Sequence, residues 1–323
     1  MSDLRGGNKI ILSESSILPD PSMLYVAELF AGIGGFRIGL SDQHFSIIYA
    51  QDSDYHTKTT YDANFNTPSL TCIDISAVLP AGLPHIDIIT AGIESLTPQH
   101  LPHIIRIIRA TQPTWIIIEA VKNITKQPIY EDFLQQVKLA KYSIVQSAID
   151  VSKVTSMPQS RERTYIVACN DIIKLGRFTF PITSTAPVQT ISSLLENPAT
   201  IHDKYYYQPE KAMYTTLNDA IKKENTIYQF RRYYVRENKT DRCPTLTANM
   251  GKGGHNVPIL KDTAGIRKLI PKECLTLQGF PSTYKIPPRI ADCHVYAQVG
   301  GASHAMIANK LGRQILIAEN IRL

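Results

Sequence analysis

Short apolar runs that alternate with helical stretches constrain the fold of this chain more than any other feature. Residues 25–30 form such a run, which ends in a glycine-rich turn. Further runs and helical stretches follow at residues 45–50, 86–90, 101–111, 115–118, 130–141 and 164–168. Runs that are apolar throughout are typical of parallel strands with both faces covered. The alternation of strands and helices therefore predicts a doubly wound α/β domain.

This regular pattern stops at about residue 178. Prolines then interrupt the chain, and polar, aromatic and basic segments follow. The change predicts a smaller, irregular domain over residues 179–295. We assign residues 23–178 together with 296–323 to the large domain. Residues 1–22 are polar and rich in serine, so we expect a tail there.

Charge and cysteine content narrow the possible function. The net charge of +6 and the isoelectric point near 8.9 suit an anionic partner such as nucleic acid. The five cysteines are scattered and show no C-x-x-C spacing, so we expect reduced thiols, no disulfide framework and no metal site. No apolar run approaches the roughly 18 residues of a membrane span. These features predict a cytoplasmic protein without membrane contact.

The glycine-rich turn belongs to a longer motif. Residues 28–37 read Glu-Leu-Phe-Ala-Gly-Ile-Gly-Gly-Phe-Arg. Glycines at a strand end let the backbone approach a nucleotide-like ligand, although a bare G-x-G-G turn also occurs in plain tight connections. The full string resembles the cofactor loop of the DNA cytosine-5 methyltransferase family. The resemblance continues in order along nearly the whole chain, and it implies a Rossmann-like fold with S-adenosylmethionine as cofactor.

The resemblance implies cofactor contacts from three successive elements. The matching positions are Phe30, Gly32, Gly34, Gly35, Asp52, Asp74 and Ile75. Asp52 stands where the family places an acid for the ribose hydroxyls, and Asp74 and Ile75 match the element that contacts adenine. The aromatic that stacks on adenine is Ser53 here, and the asparagine that helps to close the pocket is Gly301. We therefore expect binding of the cofactor to be weakened or lost.

Two further motifs match the family's contacts to the target base. Residues 115–121 read Trp-Ile-Ile-Ile-Glu-Ala-Val and resemble its Glu-Asn-Val segment, while residues 158–163 read Pro-Gln-Ser-Arg-Glu-Arg and match Gln-x-Arg-x-Arg. The resemblance implies that Glu119 binds the cytosine at N3 and that one of Arg161 and Arg163 contacts the target cytosine. Without the flanking matches, an exposed carboxylate and a solvated strand edge would be the simpler interpretation.

A basic and aromatic region lies where the family carries its target-recognition domain. Residues 231–239 interleave basic and aromatic side chains, and residues 245–256 resemble the element that frames the recognition region. Such a composition suits contacts to phosphates and groove edges, although an exposed basic hairpin is the alternative. The implied contacts to double-stranded DNA are Arg231, Arg232, Arg236, Thr247, Asn249 and Lys252.

The family's nucleophile is missing. Residues 94–96 read Glu-Ser-Leu where the family carries Pro-Cys-Gln, whose thiolate adds to C6 of a flipped cytosine. The hydroxyl of Ser95 is a much poorer nucleophile near neutral pH. Only residues 96–118 separate Ser95 from Glu119, which leaves no room for the mobile loop that closes over the base. Together with Ala120 in place of asparagine, these changes predict that Ser95, Glu119, Arg161 and Arg163 are vestiges of a catalytic site.

Three functions are compatible with this pattern. We expect a catalytically inactive homologue that binds DNA or regulates a partner, such as an active methyltransferase. The first alternative is one subunit of a two-chain methyltransferase in which another chain supplies the nucleophile and the loop. The second is an active transferase with non-standard chemistry or an RNA substrate.

Overall fold

The computed structural model describes residues 22–93, 97–231, 233–252 and 257–322. Strands in the first part of the chain build a central sheet and one short pair beside it. They are β1 Leu24–Leu29, β2 Phe45–Asp52, β3 Thr71–Cys72, β4 Ile88–Ile93, β5 Trp115–Val121, β6 Ser143–Asp150, β7 Gln159–Ser160 and β8 Glu162–Cys169.

The central sheet has seven strands in the order β3-β2-β1-β4-β5-β8-β6. The first five of these are parallel, whereas β8 runs antiparallel between β5 and β6. The chain moves outward from β1 to β3 and then returns to β4 on the other side of β1. Ligands of open α/β sheets bind at such a reversal, beyond the carboxyl ends of the strands. The topology therefore places a binding crevice above the ends of β1, β2 and β4.

Helices cover both faces of this sheet. Those of the whole described chain are α1 Gly35–Gly39, α2 Tyr55–Asp62, α3 Leu101–Thr111, α4 Pro128–Leu139, α5 Val151–Val154, α6 Ile172–Arg177, α7 Ala212–Ala220, α8 Pro271–Leu277, α9 Asp292–Gly301 and α10 Ala305–Ala318. Side chains of α3 and α4 form one core with the sheet, and side chains of α1, α6 and α10 form the other. The predicted Rossmann-like α/β fold is confirmed.

A smaller antiparallel sheet follows in the chain. Its region contains β9 Tyr228–Arg231, β10 Tyr234–Glu237, β11 Cys243–Pro244, β12 Ile259–Asp262 and β13 Gly265–Lys268. The sheet order is β10-β9-β12-β13, while β11 pairs with β7 next to the large sheet. Arg267 is fully buried here and binds both Asp262 at 2.6 Å and Glu273 at 2.8 Å. This buried ion network ties the edge of the small sheet to α8.

The predicted elements agree with the structure in position, and most of them differ from it by a few residues at their ends. Helix α3 has the predicted bounds, whereas the strand predicted at 164–168 extends over 162–169 because it pairs along its whole length with β6. Two helices, α9 and α10, lie near the end of the chain. They are separated at Ala302, whose backbone is extended.

Three further observations concern membrane spans, metal ligands and cysteine thiols. Within the part of the chain that the structure describes, every helix is too short or too polar to cross a bilayer. Among the same residues, no three metal-binding side chains come together. All five cysteine thiols are unpaired, and burial raises the pKa of Cys243 and Cys274 above the usual range of a thiol.

Candidate functional site

The glycine-rich turn after β1 has an unusual backbone conformation. Phe30, Gly32 and Gly34 have φ angles of 51°, 55° and 83°, all in the left-handed region. The N–H of Ala31 donates to the carbonyl of Gln51 at 2.9 Å, which holds the turn against the end of β2. A phenylalanine in this region is strained by roughly 1 kcal/mol or more, and such strain concentrates at functional sites. The fold therefore fixes Phe30 in a position that the residue would not adopt by itself.

The three glycines of the turn serve different purposes. A Cβ atom at Gly32 would meet no atom within 4 Å, so this glycine borders open space. A Cβ at Gly34 would lie 2.4 Å from the ring of Phe65, and one at Gly35 would lie 2.0 Å from the carbonyl oxygen of Ser303. Glycine at these two positions is required by packing. Only Gly32 offers its backbone to a ligand without obstruction.

Asp52 ends β2 beside this turn. Its Oδ2 accepts the N–H of Gly32 at 3.0 Å, and its Oδ1 accepts the N–H of Asp54 at 3.0 Å. Burial raises the pKa of the Asp52 carboxyl, and these backbone donors oppose the rise. Ser53, which follows it, is exposed. The carboxylate predicted to bind ribose thus also holds the glycine-rich turn in place.

The third predicted cofactor element lies next to the second, because β2 and β3 pair so that Asp52 stands opposite Cys72. Asp74 follows β3 and is exposed, and its Oδ1 accepts the N–H of Ser76 at 2.8 Å. Hydrogen bonds from Ser76 lower the pKa of Asp74, and the nearby imidazoles of α3 add to this effect. Ile75 is buried in the core, so its side chain forms a wall between this loop and α3.

Glu119 lies near the end of β5 in a network of polar side chains. Its Oε1 is 3.3 Å from Nη2 of Arg161 and 3.8 Å from Nε of Arg163, and its Oε2 accepts the hydroxyl of Tyr165 at 3.0 Å. The antiparallel register of β5 and β8 pairs Glu119 with Tyr165 and Val121 with Arg163. Sequence analysis predicted the acid and both arginines, and the structure brings these three together.

Arg161 is the most enclosed member of this network. Its side chain is 1% exposed, and its guanidinium donates to the carbonyl oxygens of Leu246 at 2.9 Å, Ala302 at 2.9 Å and Gly300 at 3.3 Å. These acceptors belong to the segment after β11, to α9 and to the residue that follows α9. Arg161 therefore joins three parts of the chain through its own hydrogen bonds and presents almost no surface to solvent.

Arg163 faces an open cavity instead. The cavity has a volume of about 450 Å³, and its lining includes Val121, Lys122, Ser160, Arg163 and Thr245. Since Glu119 lies directly behind Arg163, the cavity gives access to the edge of the network. The lining contains two cations, Lys122 and Arg163, and two acids, Asp150 and Glu162, so the cavity can bind a small polar group such as the edge of a base.

Sequence analysis missed Tyr165. Arg163 and Tyr165 lie two residues apart in β8, so their side chains project to the same face of the strand, and Arg161 directly precedes the strand at the same spacing. This two-residue period was a signal that could have identified Tyr165, because the matching motif already contained the first two positions.

The predicted DNA contacts lie in two places. Arg231 and Arg236 are exposed on the hairpin of β9 and β10, beside Tyr233, which is 91% exposed. Asn249 and Lys252 are exposed in the segment after β11. Arg232 and residues 253–256 lie outside the described residues.

Thr247 belongs to the same segment as Asn249 but is held against α9. A Cβ atom at Gly300 would lie 2.1 Å from the backbone of Thr247, so the two backbones touch there. Glycine in α9 makes this close approach possible. The segment after β11 is thus a joint between the two sheets as well as a candidate DNA surface.

The connection between β4 and α3 contains the position predicted for the nucleophile, and Ser95 itself lies outside the described residues. Strand β4 ends at Ile93 and α3 begins at Leu101, after a turn in which the N–H of Leu101 donates to Thr97 at 3.2 Å. Leu101 and Ile104 are buried in the first turns of the helix. The helix is therefore anchored in the core from its first residue.

Comparisons with known proteins agree with this geometry. The family model for C-5 cytosine-specific DNA methylases matches residues 24–93 and 98–316, so the match is interrupted around Ser95. The chain is 34% identical to the Type II methyltransferase M.Bsp6I of Bacillus sp. (strain RFL6), over 93% of this chain and 98% of that protein. It is 26% identical to M.HpaII of Haemophilus parainfluenzae, over 90% and 88% of the two chains.

Solved structures show the same fold. The S. pombe Dnmt2 methyltransferase superimposes with a TM-score of 0.75 at 18% identity, covering 92% of this chain and 99% of that one. The Entamoeba histolytica methyltransferase EhMeth gives a TM-score of 0.72 at 14% identity, covering 93% and 99%. The family match spans most of the sequence, and a relative above 30% identity covers nearly all of it. On these grounds the chain belongs to the C-5 cytosine-specific DNA methylase family.

Proposed function

We propose that this chain binds DNA as its relatives do but does not transfer a methyl group by the family's covalent route when it acts alone. The observation that carries this proposal is the short connection between β4 and α3. Residues 94–100 are all that separates the two elements. The covalent route needs a nucleophile and a closing loop in this interval, and both requirements are hard to meet here.

The length of the connection limits what it can reach. A chain extends at most about 3.3–3.6 Å per residue. A loop of residues 94–100 that leaves β4 and returns to α3 can therefore reach no more than roughly 12 Å beyond the ends of these two elements. Lengthening the connection by unwinding α3 would expose Leu101 and Ile104, at a cost of about 1.5–3 kcal/mol for each side chain. The hydroxyl of Ser95 would also have to replace a thiolate, which is a far stronger nucleophile near neutral pH.

The residues predicted to bind S-adenosylmethionine are suited to that role, whereas the residue at the nucleophile position is poorly suited to the covalent reaction. The open space beside Gly32, the carboxylates of Asp52 and Asp74 and the strained Phe30 are consistent with a nucleoside site. We propose that these residues and Ile75 hold the cofactor, which supplies an electrophilic methyl group when bound. Gly34 and Gly35 would support the site only through packing.

The Glu119 network is proposed to receive the edge of a base. Arg163 borders the cavity and would contact the base, whereas Glu119 lies behind it with its charge balanced by the arginines. Arg161 would act as a positioning residue, since its two Nη groups donate to Glu119 and to three carbonyl oxygens. Ser95 remains the residue at the nucleophile position.

We propose that residues 179–295 form a target-recognition domain for double-stranded DNA. The relatives are Type II methyltransferases by name, which supports DNA as the partner. Exposed basic side chains of the small-sheet region support the same conclusion. The proposed contacts are Arg231, Arg232, Arg236, Asn249 and Lys252, with Thr247 helping to position them.

A DNA-binding measurement tests this part of the proposal. The double variant Arg231→Ala/Arg236→Ala should bind a duplex more weakly than the unchanged chain, and its salt slope should fall by about 1 for each lost phosphate contact. The control Arg109→Ala/Arg177→Ala removes the same charge from exposed sites on α3 and α6. Equal losses in both double variants, or no duplex binding by the unchanged chain, would contradict the proposal.

One observation favours the two-chain alternative. The cavity beside Arg163 is open and its acid-arginine network is complete, as a base pocket served by a second chain would require. Co-expression with the product of a neighbouring gene should then yield methylation of DNA that neither chain produces alone. Absence of activity in the mixture would contradict the two-chain alternative.

A further inference from the structure

An open groove runs along the outer face of α10. Its volume is about 740 Å³. Met306, Lys310, Arg313 and Ile317 line it at intervals of three or four residues, so they share one face of the helix. The opposite face of α10 is buried in the core of the large sheet, for example through Leu311. The groove is therefore a surface that the folded chain leaves open to solvent.

The other wall of the groove is the segment of residues 181–185. The N–H of Ser184 donates to the carbonyl of Lys153 at 2.9 Å, which fixes this wall against the large domain. Large apolar side chains stand in the groove, because Ile182 is 85% exposed and Ile317 is 45% exposed. Clustered apolar side chains that remain exposed mark surfaces that bind another piece of protein.

The charged part of the groove is basic. Among the described residues that line it, Lys310 and Arg313 are cations, and none is an acid. Both cations lie on the same face of α10 as Ile317. The groove therefore suits a segment in which apolar side chains are followed closely by a carboxylate.

The chain enters the fold beside this groove. Strand β1 begins at Leu24, which pairs with Phe45 of β2. A Cβ atom at Gly312 of α10 would lie 3.3 Å from the ring of Phe45, so α10 passes the start of the sheet at this point. The next residue, Arg313, lines the groove. A segment that precedes β1 is thus tethered next to the groove and has a high effective concentration there.

The tail that precedes β1 has the composition and the length that the groove requires. Residues 1–21 lie outside the described residues. In the sequence, residues 10–12 read Ile-Ile-Leu, and Glu14 follows two positions later. Residues 13–21 can span roughly 30 Å when extended. The part of α10 that lines the groove, residues 306–317, is only about 17 Å long.

We propose that residues 10–14 of the chain's own tail occupy this groove. The apolar stretch would cover the patch around Ile317, and the carboxylate of Glu14 would pair with Arg313. Gly39, the last residue of α1, also lines the groove, so the docked tail would brace the helix that follows the glycine-rich turn. None of the described residues proposed to contact cofactor or DNA lines the groove, so the inference is independent of the proposed function.

Cross-linking of the full chain with an amine-reactive reagent, followed by mass spectrometry, tests the inference. Lys9 directly precedes the apolar stretch and Lys310 lies in the groove, so a cross-link between them should form within single molecules. The variant Ile10→Asp/Ile11→Asp should lower its yield about tenfold, since burial of one such side chain changes an equilibrium by tenfold or more.

A matched control places the same charges elsewhere. Ile172→Asp/Ile173→Asp alters two exposed side chains of α6 that do not line the groove, and it should leave the yield unchanged. Reversal of the proposed ion pair separates pairing from a general effect of charge. Arg313→Glu and Glu14→Arg should each lower the yield, and their combination should restore most of it.

The measurement on the unchanged chain decides the matter even where a variant fails to fold. Absence of the cross-link between Lys9 and Lys310 would overturn the inference. A cross-link that occurs only in covalent dimers would also overturn it, because the groove would then belong to an interface between two copies. Equal yields from the unchanged chain and from Ile10→Asp/Ile11→Asp would show that the tail passes the groove without docking, which contradicts the inference as well.

Discussion

Two neighbouring parts of the sheet differ in how much of the family site they carry. Strands β4 and β5 are adjacent, and Gly92 pairs directly with Glu119. Beyond β4, the family's nucleophile and loop are missing from the sequence. On β5 and β8, the acid and both arginines are present and in contact. The residues on β5 and beside β8 also contribute to the stability of the fold.

Glu119 and Arg161 also hold the structure together. Arg161 reaches the segment after β11 and the end of α9, and Glu119 is the buried counter-charge that its guanidinium requires. Removal of either would leave a buried charge without its partner. Glu119 and Arg161 are therefore required for stability whether or not the chain transfers methyl groups.

The largest expected effect comes from Arg161→Ala. The change removes the nearer of the two arginines beside the buried Glu119 and takes one donor from each of three carbonyl oxygens, which should lower the free energy of unfolding by about 3–5 kcal/mol. Urea denaturation measures this loss. Arg163→Ala is the comparison variant two residues further along the chain, and because Nε of Arg163 approaches Glu119 only to 3.8 Å, its loss of stability should be smaller than that of Arg161→Ala.

A double variant sharpens the same test. Combining Arg161→Ala with Glu119→Gln removes the uncompensated charge, so it should recover part of the stability lost in Arg161→Ala. If Arg161→Ala and Arg163→Ala proved equally mild, Arg161 would not be the joint described above.

The second largest effect on stability is expected from Glu28. Its carboxyl is buried, and it lacks an ion pair as close as the one between Glu119 and Arg161. Burial raises the pKa of Glu28 from 4.5 to about 7, although the hydroxyl of Tyr61 donates to it at 2.7 Å. The folded state then binds more protons than the unfolded state between these values. Stability should therefore be highest below pH 4.5 and fall as the pH rises through 7, by up to roughly 3 kcal/mol for this group alone.

Other groups titrate in this interval, so the comparison must be made with Glu28→Gln. The difference in free energy of unfolding between the unchanged chain and this variant should shift in favour of the variant from pH 4.5 to pH 7. Denaturation curves that keep a constant separation over the interval would show that Glu28 is not perturbed.

The smallest expected effect belongs to Ser95→Cys. A thiol at this position restores the family's nucleophile by type, yet residues 94–100 still cannot provide the loop that covers the base. We expect no transfer of labelled methyl groups to DNA above the level of Ser95→Ala. Methylation by the cysteine variant would show that the missing loop matters less than the missing thiol.

The sequence predicted the fold well because apolar runs report directly on strands covered on both faces. Family motifs also predicted functional roles for Asp52, Asp74, Glu119 and Arg163, and the structure places these residues at or near strand ends. It could not predict the role of Arg161, whose acceptors at Leu246, Gly300 and Ala302 come from distant parts of the chain. Contacts of this kind depend on how the two sheets meet, and no local pattern encodes them.

The most direct test of the central claim is transfer of a labelled methyl group from S-adenosylmethionine to duplex DNA by the purified chain. Ser95→Ala serves as the reference for background incorporation. We predict that the unchanged chain incorporates no more label than this variant, while it still binds the duplex. Label at C5 of cytosine that disappears in Ser95→Ala would contradict the claim and establish an active transferase.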